Sequence, residues 1–346
     1  GTTNTLLNFG EGKYPVRGEA GAVGYLVGQP GKGLQCMFHM MNEARIGVGM
    51  AATMLGMAGY HASLDYAKNR PQGRPVSPGG KDAAAPQVRI IEHADVKRML
   101  LAQKSYCEGA LALELYCARL VDEQHTGAPA EADDARLLLE VLTPIAKSWP
   151  SEWCLEANSL AIQVHGGYGY TRDFPVEQYW RDNRLNMIHE GTHGIQGMDL
   201  LGRKVVMDGG AGLKLLATTI HRTTARAGQE GGSEAGLAEH GAALAAALQR
   251  LGAATKAAWS TGKPEDALAN ATPYLQAFGH VVLAWTWLEV ALAAQASAAR
   301  QTDAFVQGKL QACRYFFAYE LPKIDAWLAV VSSRNALCRD MQDDWF

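Results

Sequence analysis

The sequence predicts a mainly α-helical fold: a helical bundle preceded by the remnant of a β-domain and followed by a second helical domain. Three observations support this prediction. Apolar and small residues recur at helical spacing through most of the chain after residue 34. The first 34 residues are instead rich in glycine and alternate apolar with small or polar residues. Alanine dominates after Leu213, so we divide the chain into residues 1–34, 35–206 and 207–346.

The overall composition favours a globular protein that binds small molecules or other proteins. The chain has 346 residues, 48% hydrophobic and 19% charged residues, and a formal net charge of -3. These values exclude disorder and a strongly basic nucleic-acid surface. The six cysteines form no C-x-x-C pair, which predicts reduced thiols and a cytoplasmic protein. We expect no transmembrane segment, because no run of about 18 apolar residues free of charge is evident.

The first residues predict one or two strands and a turn. Ala22–Val27 alternates apolar and small residues, and the glycine-rich stretch Gly28–Gly33 follows it. A strand pair this short is not stable alone. The chain also begins at Gly1 without a methionine, so we expect it to start within a longer protein whose sequence supplies the partner strands.

Helical spacing from Leu34 to about Lys68 predicts a long helix, in which Arg45 stands among apolar residues. An unpaired charge there would be costly, and arginine suits a phosphate or carboxylate partner. Glycine disfavours a helix by about 1 kcal/mol per residue, so close packing against a neighbouring helix must offset the four that this helix contains. They are Gly47, Gly49, Gly56 and Gly59.

Proline and glycine break the helix at Asn69–Gly80 and place Arg70 and Arg74 on a loop. Helical spacing returns over Val96–Glu123, with Asp95 as the capping residue.

A polar, acidic linker is predicted at residues 124–134, followed by a helix over 135–163 that Pro144 and Pro150 kink or split. Further on, a short helix over Ile195–Gly202 is predicted.

Asp208–Gly212 predicts a hinge. After it, periodic alanine and leucine predict three helices and a small polar spacer. The helices cover residues 237–259, 265–299 and 303–331, and the spacer covers residues 228–236.

Residues 163–196 contain the candidate site. Glycines let a ligand approach the backbone closely, and the carboxylate of Glu190 stands beside Gly191 at the start of a predicted helix. A carboxylate in a water-poor site suits proton abstraction next to a carbonyl. Glu190 could instead simply complement the positive end of that helix.

His189, Glu190 and His193 also match H-E-x-x-H, in which two histidines one helical turn apart bind zinc. The extended form of the motif fails, because Gln196 and Asp199 replace its last glycine and histidine. We therefore predict no metal ligands, and a zinc hydrolase stays one alternative. A non-catalytic helical assembly module, suggested by the alanine-rich end of the chain, is another.

Over roughly residues 15–205 the sequence resembles the acyl-CoA dehydrogenase family. The long helical extension that follows resembles the larger bacterial members, which carry an added C-terminal helical domain. Four blocks agree with the family in order and spacing. They are Lys32–Arg45, Tyr66–Arg70, Gln163–Asp182 and Glu190–Thr192. Departures from the family pattern, among them Ala94, His189 and Gly194, leave the acyl group of the substrate open.

The resemblance implies a flavoprotein of fatty acid metabolism that oxidises an acyl-CoA thioester to the trans-2-enoyl-CoA with FAD. Glu190 takes the position of the base that removes the α proton. The implied electron acceptor is electron-transfer flavoprotein, although an acyl-CoA oxidase, which passes electrons to oxygen, fits the same motifs.

The resemblance also implies roles for other residues and a homodimer or higher homo-oligomer. Gln163, Gly166 and Gly167 match positions that hold the FAD of a neighbouring subunit, and Arg70 matches an arginine facing that cofactor. Thr192 matches a flavin-contacting position. The positions implied for acyl-CoA binding are Met41, Asn42, Arg45 and Gly191.

Overall fold

The computed structural model describes residues 5–37, 40–75, 79–80, 84–230 and 236–346. This part of the chain is mainly helical and contains no β-strand. For residues 35–346 this agrees with the helical fold that the sequence predicts. Its α-helices are α1 (Gly33–Met37), α2 (Met41–Asn69), α3 (Ala94–Thr126), α4 (Pro129–His165), α5 (Val176–Asn183), α6 (His193–Asp199), α7 (Ala211–Glu230), α8 (Leu237–Ala258), α9 (Pro264–Leu268), α10 (Ala271–Ala296), α11 (Asp303–Tyr315), α12 (Ile324–Ser332) and α13 (Leu337–Asp340).

Helices α2, α3 and α4 pack side by side and form the first bundle, with α5 against α2 and α4. The second group consists of α7, α8, α10, α11 and α12. Helix α10 joins the two groups, because it contacts α3, α4 and α6 as well as its own neighbours. Buried apolar side chains from both groups form one continuous core.

Helix α10 is also long and apolar enough to cross a membrane by length and composition. Its most apolar window is 83% buried inside the protein, as is typical of the central helix of a folded core. The sequence prediction included this segment in the helix expected over residues 265–299.

Close packing of α2 against α3 and α4 explains most of the helical glycines. A Cβ atom on Gly49 would lie 2.2 Å from the carbonyl oxygen of Ala146, and one on Gly56 would lie 2.7 Å from the Cβ of Cys154. Gly59 is equally crowded by Asn158. The prediction is wrong only for Gly47, which is exposed with open space around it.

Helix α4 continues through both prolines, although the sequence suggested a kink or a break. A proline at position 150 removes the amide that would bond to the carbonyl of Ala146. That carbonyl faces Gly49 of α2, where the missing side chain leaves room for it. A close approach of the two helices therefore lies where a helical hydrogen bond is absent.

Several local predictions are wrong. The expected strand over Ala22–Val27 does not form, because a short extended segment needs neighbouring strands; residues 5–32 show only an isolated bridge between Val16 and Glu19. Asp95 lies inside the first turn of α3, where it binds Arg98, and His93 is the N-cap.

The acidic segment at residues 124–134 is largely helical, since α3 runs to Thr126 and α4 begins at Pro129. At the predicted hinge over Asp208–Gly212, Asp208 and Gly209 adopt left-handed conformations and break the helical path; the hinge itself stays a prediction. The sequence did not anticipate α7. Residues 38–39 and 231–235, on which part of the first helix and of the spacer fall, lie outside the described residues.

Candidate functional site

Glu190 lies on a turn between the 3₁₀ segment Arg184–Met187 and helix α6. Its backbone is left-handed, with φ at +56°, a conformation that is uncommon for residues other than glycine. Its side chain is exposed. The turn therefore presents the carboxylate at the surface of the bundle in a backbone conformation that other contacts must maintain.

Two side chains hold this turn through its carbonyl groups. Gln196 donates from Nε2 to the backbone oxygen of Glu190 at 2.9 Å. Lys147 of α4 donates from Nζ to the backbone oxygens of Gly191 at 2.6 Å and Asn186 at 2.9 Å. A Cβ atom on Gly191 would lie 2.6 Å from Nε2 of Gln196, so the glycine gives this amide access to the turn.

Burial changes the titration of two groups beside the turn. It lowers the pKa of Lys147 to about 8, an effect that the Glu190 carboxylate opposes and Arg45 reinforces. It lowers the pKa of His193 to about 4, with further contributions from Lys147 and Arg184. At neutral pH the site therefore holds an ammonium group next to a neutral imidazole.

The zinc-hydrolase alternative requires His189 and His193 on successive turns of one helix, and the structure does not have this arrangement. Helix α6 begins at His193, and Glu190 and Gly191 both have positive φ, so the two histidines do not occupy successive turns of one helix. Within the described residues, no group of three or more histidine, cysteine, aspartate or glutamate side chains is placed to hold a metal ion.

Arg45 is buried near the start of α2 and forms an ion pair with Asp199, with Nη1 3.0 Å from Oδ2. Its Nε is buried and has no hydrogen-bond partner among the described residues. Met41 and Asn42 lie on the first turn of the same helix. The residues matched to acyl-CoA binding are thus grouped at this end of α2.

Arg70, Gln163 and Gly166 lie at the other end of α2. The guanidinium of Arg70 sits over the ring of Tyr168, 5.7 Å from its centroid, in the glycine-rich 3₁₀ turn Gly166–Tyr170. Its Nε is buried without a partner in the described part of the chain. Gln163 and Gly166 line a cavity of about 400 Å³. Its other polar lining residues include Gln72, Arg74, His93 and His165.

The glycine turn is open toward solvent. Gly166 has φ at +62°, and a Cβ atom on Gly166 or Gly167 would meet nothing within 4 Å. Backbone amides next to such open glycines can approach a phosphate group closely. The unpartnered Nε of Arg70 and the open backbone of this turn provide donors suited to a phosphate group.

Helix geometry separates the two groups of residues. Arg45 and Arg70 are 25 residues apart on α2, which corresponds to about 38 Å of helix. Lys147 and Gln163 are 16 residues apart on α4, or about 24 Å. Glu190, Gly191, Thr192 and the start of α2 therefore form one region, and the glycine turn with Arg70 forms another.

The sequence prediction missed three residues of the first region: Lys147, Gln196 and Asp199. The available signal was polarity within apolar helical stretches, which it used for Arg45 but not for Lys147, although both are buried. Asp199 and Gln196 entered only as failed positions of a zinc motif.

Comparisons with known proteins find related sequences for most of the chain. The family model "Acyl-CoA dehydrogenase, C-terminal domain" matches residues 81–205. The model "Acetyl-CoA dehydrogenase C-terminal like" matches residues 216–342. The chain is 38% identical over 301 residues to the 3-methylmercaptopropionyl-CoA dehydrogenase of Ruegeria pomeroyi, a match that spans 85% of this chain and 50% of that protein.

Two solved structures share the fold. ACDH-11 of Caenorhabditis elegans, in complex with C11-CoA, has a TM-score of 0.72 at 19% identity, covering 94% of this chain and 51% of that one. An acyl-CoA dehydrogenase of Bacillus anthracis complexed with FAD has a TM-score of 0.66 at 18% identity, covering 92% and 52%. The chain spans about half the length of the proteins it matches. The resemblance found in the sequence is confirmed, and the chain belongs to the acyl-CoA dehydrogenase family, carrying its C-terminal helical domains.

Proposed function

We propose that this protein takes part in the FAD-dependent α,β-dehydrogenation of an acyl-CoA thioester to the trans-2-enoyl-CoA, with Glu190 as the base that removes the α proton. The main support is the turn at Glu190. The backbone of Glu190 is left-handed, and hydrogen bonds from Lys147 and Gln196 hold the turn that presents its carboxylate at the surface. By the resemblance, this residue takes the position of the family's base.

The role of Glu190 follows from simple chemistry. A thioester carbonyl acidifies the adjacent C–H bond, so a carboxylate can accept that proton once it is aligned and water is excluded. Lys147 and Gln196, which donate hydrogen bonds to the carbonyls of Gly191 and Glu190, form a clamp on this turn. We propose that this clamp aligns Glu190 with the α proton. A fixed base contributes by positioning, because it does not have to search for the proton in each turnover.

The residues proposed to hold FAD fit that group. Arg70 has a spare buried N–H, Gly166 and Gly167 leave their backbone open, and Gln163 lines the adjacent cavity. Thr192, next to the base, is proposed to contact the flavin of its own site. When bound, FAD supplies the acceptor for the β hydrogen.

The separation between the two groups supports a homodimer or higher homo-oligomer. One chain presents Glu190 and Thr192 about 24 Å of helix or more away from its glycine turn. We propose that the turn and Arg70 serve the cofactor of a neighbouring subunit, while Glu190 acts in its own.

Acyl-CoA is proposed to bind along Met41, Asn42, Arg45 and Gly191. The positive charge of Arg45 is already matched by Asp199, so we propose that it contributes its remaining ε N–H to the ligand. In this proposal residues 1–34 end the β-domain, residues 35–206 form the catalytic bundle and residues 207–346 form the added domain. Electron-transfer flavoprotein is the proposed acceptor, and the free cysteines suit a cytoplasmic site of action.

The experiment uses the full-length gene product and a panel of acyl-CoA thioesters. Wild-type protein should bleach its flavin on addition of substrate, and Glu190→Gln should lose at least about 10³-fold in the rate of bleaching while it retains flavin and acyl-CoA binding. His189→Gln, on the same turn, is the matched control and should keep activity within a few-fold. Undiminished bleaching in Glu190→Gln would refute the assignment. Peroxide formation would identify an oxidase.

A further inference from the structure

We propose that Lys147 is a positioning residue for Glu190: its ammonium group holds the backbone turn that presents the carboxylate. This inference rests on the proposed function of Glu190 as a base. Lys147 hydrogen-bonds to backbone carbonyls on both sides of Glu190, and it would affect the reaction through the position of that residue.

The burial of Lys147 requires an explanation. Its side chain is 0% exposed and is among the largest fully buried side chains of the protein. Lysine is rarely buried completely, since removing an ammonium group from water is costly unless its donors are satisfied. Here the described residues provide two carbonyl acceptors, and both belong to the segment that carries Glu190.

The two acceptors lie on opposite sides of the base. The carbonyl of Asn186 precedes Glu190 by four residues, and the carbonyl of Gly191 follows it directly. One ammonium group therefore closes the segment into a loop from which Glu190 projects. The side chain of Asn186 bonds to Asn183, and Asn183 bonds to Asn158 of α4 and to the carbonyl of Ala52 of α2, so the loop is anchored to two long helices.

Electrostatics add a second contribution. Lys147 faces Arg45 from α2, Glu190 from the turn and His193 from α6. The Glu190 carboxylate favours the ammonium form, whereas burial and Arg45 disfavour it, and together they leave its pKa at about 8. The clamp should therefore weaken as the pH rises through this value.

Deprotonation of Lys147 weakens its hydrogen bonds to the turn, but it does not lower the stability of the folded protein. The unfolded lysine titrates near 10.5, so between about pH 8 and 10.5 the unfolded chain binds more protons than the native one, and this group makes the native state more stable as pH rises. Deprotonation of Lys147 therefore does not by itself unfold the protein, and a fall in kcat over this range is assigned to the site when circular dichroism shows that the fold persists.

Lys204 supplies a matched control. It is also buried, and its pKa is also lowered to about 8, but its ammonium group pairs with Glu140 and, among the described residues, makes no hydrogen bond to the turn. The double variant Lys204→Met/Glu140→Gln removes a buried lysine without leaving its carboxylate charged.

The test measures kcat and KM from pH 6 to 10 in the full-length flavin-loaded enzyme. For wild type we expect kcat to fall with an apparent pKa of about 8 while the fold persists. Lys147→Met should lower kcat at pH 7 by about 100-fold, as expected for a displaced catalytic group, with KM within about threefold and no further fall near pH 8. The Lys204 double variant should behave as wild type.

A second readout needs no turnover. Amide hydrogen exchange of peptides covering residues 184–192 should be at least tenfold faster in Lys147→Met and unchanged in the Lys204 double variant. If Lys147→Met does not fold, Lys147→Arg and the wild-type pH profile decide, because arginine stays charged and should abolish the fall near pH 8. A flat wild-type profile, or Lys147→Met with normal kcat and exchange, would overturn the inference. Absent turnover in wild type would instead refute the proposed function.

Discussion

Arg45 and Asp199, 154 residues apart in the sequence, form an ion pair with 3.0 Å between Nη1 and Oδ2, and neither side chain is more than 13% exposed. The pair ties the start of α2 to the end of α6. Because α6 follows the turn that carries Glu190, the same contact fixes this turn relative to the helix that is proposed to bind acyl-CoA.

Removing Asp199 should therefore destabilise the protein. Asp199→Ala leaves the buried guanidinium without its counter-charge, and loss of one partner of a buried pair typically costs about 3 to 5 kcal/mol. Urea denaturation followed by circular dichroism measures this change. The double variant Arg45→Met/Asp199→Leu removes both buried charges and should recover most of the loss, because Arg203, which also pairs with Asp199, is exposed to solvent. A loss below about 1 kcal/mol in Asp199→Ala would show that solvent replaces the carboxylate.

Acid should weaken the fold through His193. Its pKa is lowered to about 4 in the folded protein by burial, Lys147 and Arg184, whereas the unfolded chain titrates near 6.5. The stability that this group contributes is present above pH 6.5 and is lost as pH falls toward 4, up to about 3 kcal/mol in total.

The measurement compares the free energy of unfolding of wild type and His193→Gln between pH 7 and 4. The difference between them should change by up to about 3 kcal/mol over this range. His125→Gln, which alters an exposed histidine in the last turn of α3, should show the same pH dependence as wild type. Parallel curves for wild type and His193→Gln would contradict the prediction.

Two glycines of α2, two residues apart, should respond oppositely to alanine. Gly49→Ala places a methyl group where the carbonyl of Ala146 and the carboxyl group of Glu114 already lie, at 2.2 and 2.3 Å, so we expect a loss of at least about 2 kcal/mol. Gly47→Ala has open space and should gain about 1 kcal/mol. Urea midpoints of the two variants test this, and equal effects would refute it.

The sequence singled out Glu190 because the signal was local, a carboxylate next to glycine within a motif of fixed spacing, and its role as a base stays a prediction. It predicted the kind of partner that Arg45 needs, a carboxylate or phosphate, but could not identify Asp199. That pair depends on how α2 and α6 meet, and helical periodicity does not specify such a crossing.

Lys147 is a residue whose position the sequence did not predict. Lysine in a helix usually faces solvent, and the carbonyl it binds at Gly191 is 44 residues away. Pro150 was expected to kink or split α4, yet the helix continues through it, and the freed carbonyl of Ala146 faces Gly49. Both cases depend on contacts between distant segments, and in both the property of a single residue suggested the opposite of what the fold does.

The left-handed backbone of Glu190 sets the preference of the fold against the requirement of the chemistry. Glycine would occupy this position without strain, and asparagine or aspartate with little, whereas glutamate costs about 1 to 2 kcal/mol there. Neither glycine nor asparagine can accept a proton as a carboxylate does, and the aspartate side chain is one methylene shorter. If Glu190 is the base, as proposed, this strain is the cost in stability of placing a glutamate carboxylate at that point of the turn.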